Sequence, residues 1–431
     1  MSEVKVSQSS CPSSANGHIK QPLRIALFGF GTVGSSVARI LTETKPEGLE
    51  LTHIFNRSVE RKRVDWVPSS VTWTEDADAV LNSDVDVIVE LAGGLTPAGD
   101  WVRRALSSGK SVVTANKKLI ALTGAELERL AAEKGGHLKY GAAVAGGIPV
   151  IPGIEQGLAA DRVDRLLGIL NGTCNFILSK MEVGEDYAPV LAEAQRLGFA
   201  EADPTEDVGG FDARSKLAIL MRLAQRIHIN PEEIEPTPIT KLAAIDFAYA
   251  RELGSTIRQV ARAERTADGI AATVGPMLVD EHSPLAWSHG TENMVIVSGR
   301  YGGDVVFSGH GAGGSPTAVA VVSDLIALAH GSRRVEIPST KTHLTAEFEV
   351  PHYIRFLVND KPGIIADITV ALANEGINIR AIFQKPGYPA TRLPFVMTVE
   401  PCKSSALKRA LEILNGKTYM LEEALDLQIL E

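Results

Sequence analysis

The chain has 431 residues, of which 45% are hydrophobic and 22% charged, and its formal net charge is -9 at pH 7. This length predicts about three folding units, and the acidic balance and the lack of a long apolar run exclude bulk attraction to nucleic acid and a membrane span. Three cysteines without metal-ligand spacing argue against a disulfide scaffold or a zinc site and favour a reducing, cytoplasmic environment.

The first 22 residues are rich in serine and have mixed charge without an apolar core. They therefore do not resemble a secretory signal, which requires such a core. We expect residues 1–22 to form a flexible tail.

From Leu23 onward, short apolar runs alternate with helical stretches: LRIALFGF, SSVARILTET, LTHIF, VDVIVEL and SVVTA. Strands that alternate with helices pair in parallel through right-handed crossovers, so that helices cover both faces of the sheet. This α/β pattern predicts a Rossmann dinucleotide-binding domain over residues 23–150. We assign residues 305–335 to the same domain, because they carry a glycine-rich stretch and the amphipathic helix PTAVAVVSDLIALAH.

Residues 151–304 combine a helical stretch around 215–227 with strand-like segments such as AATVGPMLVD and ENMVIVSGRYGG. We expect an α+β catalytic and dimerisation domain here. After a polar linker at 332–342, residues 350–431 have the pattern strand, helix, strand, strand, helix, strand. That order is typical of a small ferredoxin-like βαββαβ domain.

A glycine-rich turn follows the first strand with the spacing G-x-G-x-x-G: Gly29, Phe30, Gly31, Thr32, Val33 and Gly34. Glycines here allow a tight turn and close approach of the backbone to a pyrophosphate, which lies at the positive end of the next helix. The strand before the turn and the helix after it supply the context that this motif needs. The turn therefore predicts a dinucleotide cofactor.

The second strand ends in Asn56 and Arg57, where an NAD-selective site usually carries an acid for the ribose hydroxyl. A basic residue at this point suits the 2′-phosphate of NADP. A solvated basic helix start has the same sequence, which leaves NAD open as the cofactor. We predict NADP, with Arg57 at its phosphate.

An acid-rich segment, GFAEADPTEDVGGFDARSK, spans residues 198–216. Asp212 and Lys216 are four residues apart, so on a helix they share one face. Such pairs are usually surface salt bridges. Here the preceding loop concentrates further carboxylates, whose mutual repulsion favours binding of a positive group such as an α-ammonium: Glu201, Asp203, Glu206 and Asp207.

Six segments together resemble the homoserine dehydrogenase family and occur in that family's order: GFGTVG, VTANKK, AAVAGGIPVI, NGTCNFIL, the acidic loop with DARSK, and GHGAGGSPTAVAVVSDL. The resemblance covers nearly all of residues 23–325. It implies a reversible, nicotinamide-dependent reduction of L-aspartate 4-semialdehyde to L-homoserine.

The resemblance also implies roles for individual residues. Lys216 would protonate the substrate carbonyl oxygen and act as the base in reverse, Asp212 would orient it, and Lys117 would lie between nicotinamide and substrate. Carboxylates favour a protonated lysine, so reduction should run near neutral pH and oxidation should improve toward alkaline pH. Substrate contacts are expected from four residues: Glu201, Asp207, Gly172 and Thr173. Cofactor approach is expected at Lys117 and at three glycines: Gly198, Gly311 and Gly313.

One position departs from the family pattern. The family usually has a glutamate where this chain has Gly141, and that glutamate joins backbone carbonyls in binding a monovalent cation. The resemblance here implies carbonyl ligands from Val144, Gly146 and Ile148 without the charged ligand.

Residues 360–379, DKPGIIADITVALANEGINI, resemble the signature of the ACT domain, an amino-acid-sensing module. Pro362 and Gly363 break the strand, and free N–H groups at the following helix start can hold a carboxylate. The resemblance implies a regulatory site at Asp360, Gly363 and Ile364, with L-threonine as feedback inhibitor. An inert dimerisation domain is the alternative. If the domain is regulatory, a chain ending near Ser339 should lose the inhibition.

Pairing of such modules, and of strands in the central domain, predicts a homodimer or a homotetramer.

Two other functions fit parts of the sequence. Aspartate-semialdehyde dehydrogenase acts on the same aldehyde but needs a thiolate nucleophile, for which Cys174 is the candidate. A catalytically inactive NAD(P)-binding sensor of amino acids would need neither Lys117 nor Lys216.

Overall fold

The computed structural model describes residues 21–267, 269–331 and 342–430. The predicted tail at 1–22 and the predicted linker at 332–342 lie almost wholly outside these ranges. Within them, no helix combines the length and the apolar character that crossing a membrane requires.

The N-terminal domain alternates strands and helices, as the sequence predicted. Its elements are β1 (Leu23–Phe28), α1 (Thr32–Thr44), β2 (Leu49–Phe55), α2 (Val59–Lys62), β3 (Thr72–Thr74), α3 (Ala77–Leu81), β4 (Val87–Glu90), α4 (Ala98–Ser107), β5 (Ser111–Thr114), α5 (Lys117–Lys134) and β6 (Leu138–Lys139). All six strands pair in parallel in the order β3-β2-β1-β4-β5-β6. This order defines a doubly wound Rossmann sheet, and each of its faces is covered by an apolar cluster.

The central domain is built on an antiparallel sheet. Its elements are α6 (Val150–Pro152), β7 (Val163–Ile169), α7 (Gly172–Glu182), α8 (Tyr187–Arg196), α9 (Thr205–Val208), α10 (Phe211–Leu220), α11 (Ala244–Glu252), β8 (Ser255–Thr266), β9 (Gly269–Asp280), β10 (Glu292–Gly299) and β11 (Gly303–His310). The strands lie in the order β11-β10-β7-β8-β9. Short 3₁₀ and π turns complete this part of the chain: Gly141–Ala143, Gly153–Gly157, Met221–Gln225, Pro231–Glu233, Ile239–Lys241 and Pro284–Trp287.

The chain returns to the N-terminal domain only after residue 310, later than the predicted boundary at residue 305. β11 pairs with β10 along its whole length, so residues 305–310 belong to the central sheet, and the predicted boundary is wrong there. A tight turn suffices to join antiparallel neighbours, which keeps both strands in one sheet. Within residues 305–331, it is helix α12 (Gly314–Ala329) that packs against the Rossmann sheet, next to α1. A Cβ at Gly314 would lie 2.9 Å from a side-chain atom of Thr32, which explains this close approach.

The C-terminal domain has the predicted ferredoxin-like order. Its elements are β12 (Leu344–Thr345), β13 (Glu349–Val358), α13 (Ile364–Asn374), β14 (Ile379–Phe383), the 3₁₀ turn Ala390–Arg392, β15 (Leu393–Lys403), α14 (Ser404–Asn415) and β16 (Leu425–Leu430). Four of its strands lie in the antiparallel order β16-β13-β15-β14. Helices α13 and α14 pack on one face of this sheet and enclose an apolar core.

The central and C-terminal domains share one ten-stranded sheet, which the sequence did not indicate. β16 pairs in parallel with β9, with Gln428 opposite Met277. The second face of the C-terminal sheet packs on the central domain, where Tyr353 and Leu427 join the apolar cluster of α7 and α11. The guanidinium of Arg355 on β13 also forms a buried ion pair with Asp246 on α11 at 3.0 Å. The two domains are therefore joined by backbone pairing, apolar packing and a buried ion pair.

A chain ending near Ser339 is expected to lose stability as well as regulation. Loss of the C-terminal domain would remove β16 from its pairing with β9 and uncover buried partners of the shared cluster such as Phe247, Ile257 and Leu278. We expect a melting temperature about 10 °C or more below that of the full chain, because each uncovered side chain contributes about 1.5 to 3 kcal/mol. Thermal melts followed by fluorescence and light scattering measure this. Equal melting temperatures would show that the C-terminal domain is an independent unit.

Candidate active site

Three chain segments converge at the junction between the two sheets. Lys117 is the first residue of α5 and follows the carboxyl end of β5 in the Rossmann sheet. Asn171 lies between β7 and α7, and Asp212 and Lys216 lie one turn apart on α10. Strand ends in open α/β sheets are where binding sites form, because loops from neighbouring elements meet there.

The carboxylate of Asp212 lies between two lysines and is only 2% exposed. The ammonium of Lys216 donates to Oδ2 of Asp212 at 2.8 Å, and the ammonium of Lys117 forms an ion pair with Oδ1. Lys216 also donates to the carbonyl oxygen of Leu170 at 2.7 Å. The structure thus brings together the three residues that were predicted to be catalytic.

The charges in this cluster support each other. Burial raises the pKa of Asp212, but the ammonium groups of Lys216 and Lys117 lower it by more, so the pKa lies well below its ordinary value. For Lys117, burial lowers the pKa, but the carboxylates of Asp212, Asp207 and Glu206 outweigh burial and raise it. At neutral pH, Asp212 is therefore ionised and Lys117 is protonated. Such a carboxylate can orient an ammonium group toward a substrate oxygen.

Asp207 on α9 is the second carboxylate of the cluster. Burial raises its pKa, while a hydrogen bond from the Asn171 amide, 2.7 Å long, opposes that rise. The same amide nitrogen donates to Oδ2 of Asp212 at 2.8 Å. Asp207, which was predicted to bind substrate, is thus linked to the catalytic cluster through Asn171.

The other predicted substrate residues differ in their position relative to the catalytic cluster. Gly172 begins α7 beside the cluster, and the hydroxyl of Thr173 donates to the carbonyl oxygen of Phe199 at 2.6 Å. Glu201 is exposed, and its carboxylate forms no hydrogen bond or ion pair with the residues that the structure describes. Gly198 ends the turn after α8 with φ +78° and adjoins Phe199. Contact of Glu201 with substrate remains a prediction.

The glycine-rich turn has the form that a pyrophosphate requires. Gly29 has φ +108°, and a Cβ there would lie 3.0 Å from backbone atoms of Leu91 and Ala92. A Cβ at Gly34 would lie 2.1 Å from the carbonyl oxygen of Gly29, whereas Gly31 faces open space. Helix α1 has no side-chain cap, so its first N–H groups are available to a phosphate. These features fit a bound dinucleotide.

The remaining residues of the turn contribute backbone rather than side chains. Phe30 is buried against Trp73, with ring centroids 4.8 Å apart, and Val33 packs partly into the same core. Thr32 is the first residue of α1. Any contact of these residues with a cofactor would therefore come from the N–H groups of the turn and of the first helical residues.

The loop before α12 returns to this turn. Gly313 precedes α12 with φ +117°, and Gly314 packs against Thr32. A Cβ at Gly311 would lie 2.0 Å from the side chain of Asn293, so this position admits only glycine without displacement of a buried residue. The Gly309–Gly314 segment thus lies next to the glycine-rich turn, where Gly311 and Gly313 were predicted to meet the cofactor.

Three further residues build the site and were missed by sequence reasoning: Asn171, Asn293 and Glu90. Asn293 on β10 donates to the carbonyl oxygen of Leu170 at 3.0 Å, which is also the acceptor of Lys216. Glu90 is 0% exposed and accepts from the N–H groups of Ala92 and Gly93 and from the hydroxyl of Thr114.

The missed residues differ in the signal they leave in the sequence. Asn171 precedes an apolar run as helix caps do, and its side chain accepts from the N–H of Cys174 at 2.8 Å. Glu90 ends a parallel strand, where charged residues often serve a site. Asn293 gives no local signal, because its partner is distant in the sequence.

The segment after β6 offers an environment that suits a small cation. The carbonyl oxygens of Val144 and Gly146 are in buried residues and accept no hydrogen bond from any residue that the structure describes, whereas that of Ile148 accepts from Val150 at 2.8 Å. Unpaired buried carbonyls usually bind water or an ion. Beside Gly141, the carboxylate of Asp324 accepts the Gly141 N–H at 2.7 Å.

Cys174 is not a thiolate nucleophile. The thiol is fully buried, and burial raises its pKa well above the ordinary value. Its Sγ donates to the carbonyl oxygen of Asp207 at 3.1 Å. This environment contradicts the semialdehyde dehydrogenase alternative, which requires an accessible thiolate.

The chain combines a Rossmann sheet, a glycine-rich turn that leads into a helix without a side-chain cap, and two lysines that share one buried carboxylate. This combination defines a nicotinamide-dependent oxidoreductase. Comparison with known families agrees. Residues 29–141 match the model "Homoserine dehydrogenase, NAD binding domain", residues 149–326 match "Homoserine dehydrogenase", and residues 352–416 match "ACT domain".

Individual relatives give the same result. The homoserine dehydrogenase of Bacillus subtilis is 37% identical over 380 residues, which cover 84% of this chain and 88% of that protein. The enzyme of Pseudomonas aeruginosa is 39% identical over 386 residues, covering 85% and 88%. The chain therefore belongs to the homoserine dehydrogenase family, and its C-terminal domain is an ACT domain.

Solved structures share all or most of the fold. A homoserine dehydrogenase from Thiobacillus denitrificans has a TM-score of 0.88 and 34% identity, covering 95% of this chain and 99% of that one. A hyperthermophilic archaeal homoserine dehydrogenase, solved in complex with NADPH, has a TM-score of 0.62 and 25% identity, covering 73% and 100%.

Proposed function

We propose that this chain reduces L-aspartate 4-semialdehyde to L-homoserine with NADPH, and that Lys216 supplies the proton to the carbonyl oxygen. The observation that carries this assignment is the buried Asp212 carboxylate between the ammonium groups of Lys216 and Lys117. The reduction develops negative charge on the aldehyde oxygen, and a fixed ammonium group stabilises that charge.

The residues of the chain divide the work as follows. When bound, the reduced nicotinamide would supply the hydride to the aldehyde carbon. Lys216, held by Asp212 and by the Leu170 carbonyl, donates a proton to the oxygen and takes it back in the reverse direction. Lys117, at the end of β5, places a second positive charge beside the substrate. Asp207 and Glu201 are the acids that would bind the substrate ammonium group, with Gly172 and Thr173 beside them.

Lys216→Ala should abolish most turnover without loss of cofactor binding. We expect kcat to fall by about 10² to 10⁴ in both directions, because a general acid contributes a factor of that size. Steady-state rates with NADPH and the semialdehyde, or with NADP and homoserine, measure it. In the parent, homoserine oxidation should rise toward alkaline pH, since the base must lose its proton.

Lys134→Ala is the matched control, because it removes an exposed lysine at the far end of α5. Its kcat should equal that of the parent. Full activity of Lys216→Ala would disprove the assigned proton donor. A parent chain that binds NADPH but never consumes it would instead be a sensor.

A preference for NADP over NAD is part of the same proposal. Arg57 is exposed directly after β2, and the Asn56 side chain accepts the Ser58 N–H at 3.0 Å instead of offering an acid to a ribose hydroxyl. The guanidinium of Arg61 donates to the hydroxyl of Ser58 at 2.9 Å, so a second positive charge lies next to Arg57 in this loop. The archaeal relative was solved with NADPH.

Arg57→Ala should therefore weaken NADPH selectively. We expect KM for NADPH to rise about tenfold while KM for NADH stays constant, because a charged hydrogen bond to the 2′-phosphate is lost. Initial rates with both cofactors, for the parent and the variant, provide the ratio. An equal effect on NADH and NADPH would place Arg57 away from the 2′-phosphate.

A monovalent cation at the carbonyls of Val144, Gly146 and Ile148 belongs to the proposal as well. The two unpaired buried carbonyls support it, and Asp324 provides a carboxylate next to Gly141, where the family usually has a glutamate. Both carboxylate oxygens of Asp324 would lie 3.0 Å from a Cβ at position 141. In this chain the carboxylate next to position 141 thus comes from α12, and burial raises the pKa of Asp324 to about 6.

Feedback inhibition by threonine is proposed to act through the ACT domain. Gly363 precedes α13 and has φ +99°. The first N–H of this helix that donates to a backbone carbonyl is that of Asp367, and its acceptor is the carbonyl oxygen of Gly363. The N–H groups of residues 364–366 can therefore receive a carboxylate, next to Asp360 in the same turn. The ACT sheet contacts α7 directly through their shared apolar cluster, and α7 begins at the active site. Coupling between the two sites can run through this contact.

Gly363→Ala should weaken this inhibition in the full chain. A Cβ there meets no neighbour, but alanine disfavours φ +99° and would displace the start of α13. We expect half-inhibition to need about tenfold more threonine. Gly387→Ala is the matched control, since Gly387 has φ +96° with equally open space in the same domain. Equal threonine sensitivity of parent and both variants would remove this helix start from regulation.

A homodimer or homotetramer in the cytoplasm completes the proposal. The ten-stranded sheet ends in two edge strands, β11 and β14, whose backbone groups can pair with another copy. The two cysteines of the described residues, Cys174 and Cys402, are free and buried, which suits a reducing compartment.

A further inference from the structure

The side chain of Asn171 connects two carboxylates of the site, those of Asp207 and Asp212. Its amide nitrogen donates to Oδ1 of Asp207 at 2.7 Å and to Oδ2 of Asp212 at 2.8 Å. Asn171 is 4% exposed, so these hydrogen bonds form away from bulk water. One amide group thus uses both of its N–H donors on two different carboxylates.

The orientation of this amide follows from its third hydrogen bond. The carbonyl oxygen of the Asn171 side chain accepts the N–H of Cys174 at 2.8 Å and caps α7. Turning the amide over would place its N–H groups against a backbone N–H and its oxygen against two carboxylates. The helix cap therefore requires that the amide donors face Asp207 and Asp212.

The two carboxylates would disturb each other without these donors. Neighbouring carboxylates repel, and the usual result is that one of them binds a proton. Here burial and the charge of Asp212 raise the pKa of Asp207, whereas the ammonium groups of Lys216 and Lys117 keep the pKa of Asp212 low, so Asp207 is the carboxylate that would bind it. The hydrogen bond from Asn171 favours the ionised form of Asp207, and the second donor fixes Oδ2 of Asp212 where it accepts from the Lys216 ammonium.

Four charged groups and one thiol surround Asn171. Asp207 lies on α9, Asp212 and Lys216 lie on α10, Lys117 lies on α5, and the Cys174 thiol lies on α7. These two carboxylates and two lysines balance in charge, and Glu206, which also acts on Lys117, is paired with Lys118 at 3.1 Å. A third carboxylate at position 171 would upset this balance.

We propose that Asn171 is a positioning residue, which holds the Asp212 carboxylate aimed at Lys216 by bridging it to Asp207. This inference rests on the proposed role of Lys216 as proton donor and base. A purely structural alternative exists, in which Asn171 serves only as the cap of α7.

Asn171→Asp separates the two roles. Aspartate caps a helix as well as asparagine does, so α7 should keep its stability, but both donors are replaced by a third negative charge. We expect kcat to fall by about tenfold or more, because Asp212 loses its bridge. The rise of homoserine oxidation with pH should move about one pH unit or more to the alkaline side, because added negative charge makes the Lys216 ammonium harder to deprotonate.

Asn171→Ser provides a second measurement in case the aspartate variant does not fold. Serine also caps the helix but cannot reach both carboxylates and adds no charge. We expect a fall in kcat with unchanged NADPH binding, measured by quenching of NADPH fluorescence, and a melting temperature like that of the parent. A parent-like kcat in this variant would contradict the proposal.

Asn230→Asp is the matched control. Asn230 is an exposed cap whose side chain accepts the Glu232 N–H at 3.1 Å, so the substitution makes the same change in charge outside the cluster. Its pH profile should equal that of the parent. If Asn171→Asp folds and shows the parent's kcat and pH profile, Asn171 is only a helix cap and the proposal is wrong.

The two proposals fail in different ways. If the role of Lys216 is wrong, Lys216→Ala retains turnover whatever happens at position 171. If only the inference on Asn171 is wrong, Lys216→Ala is inactive while both Asn171 variants behave as the parent does.

Discussion

The buried carboxylate of Asp212 is the group on which the architecture of the site depends. A charge at 2% exposure is tolerated only when opposite charges and hydrogen bonds surround it, and here Lys117, Lys216 and Asn171 meet that requirement. These partners come from α5, α10 and the start of α7. Satisfying one carboxylate therefore requires that the Rossmann sheet and the central domain meet in one arrangement. The cofactor turn and the lysines are held together by the same requirement.

Glycines determine how closely the backbone segments approach one another around this charge. The turn at Gly29 lies against Leu91 and Ala92, and Glu90 holds that neighbouring loop through its N–H groups. On the other side, Gly314 allows α12 to pack against α1 after the chain has left the central sheet. The chain thus enters the Rossmann layer twice. Near the start of each passage, glycine backbone lies at the cofactor turn, where a pyrophosphate would lie.

The ACT domain is part of the same packing unit as the catalytic machinery. Its sheet continues the central sheet through β16 and β9, and its second face packs on α7 and α11. Interiors packed to this density transmit displacement rather than absorb it. Helix α7 begins at Asn171, whose amide contacts both acids of the site. A change in the ACT sheet therefore has a short, continuous path of packed residues to the residues that orient Lys216.

The sequence alone determined the features that depend on local pattern: the alternating strands and helices, the glycine turn, the pairing of Asp212 with Lys216 on one helix face, and the βαββαβ order. These follow from periodicity and spacing within a few turns of chain. Only the tertiary structure decided that residues 305–310 join the central sheet, that β16 pairs with β9, and that Cys174 is buried. It also revealed Asn171, Asn293 and Glu90 as site residues. Each of these depends on contacts between segments far apart in the chain, and local pattern carries no information about which distant polar group will satisfy a buried one.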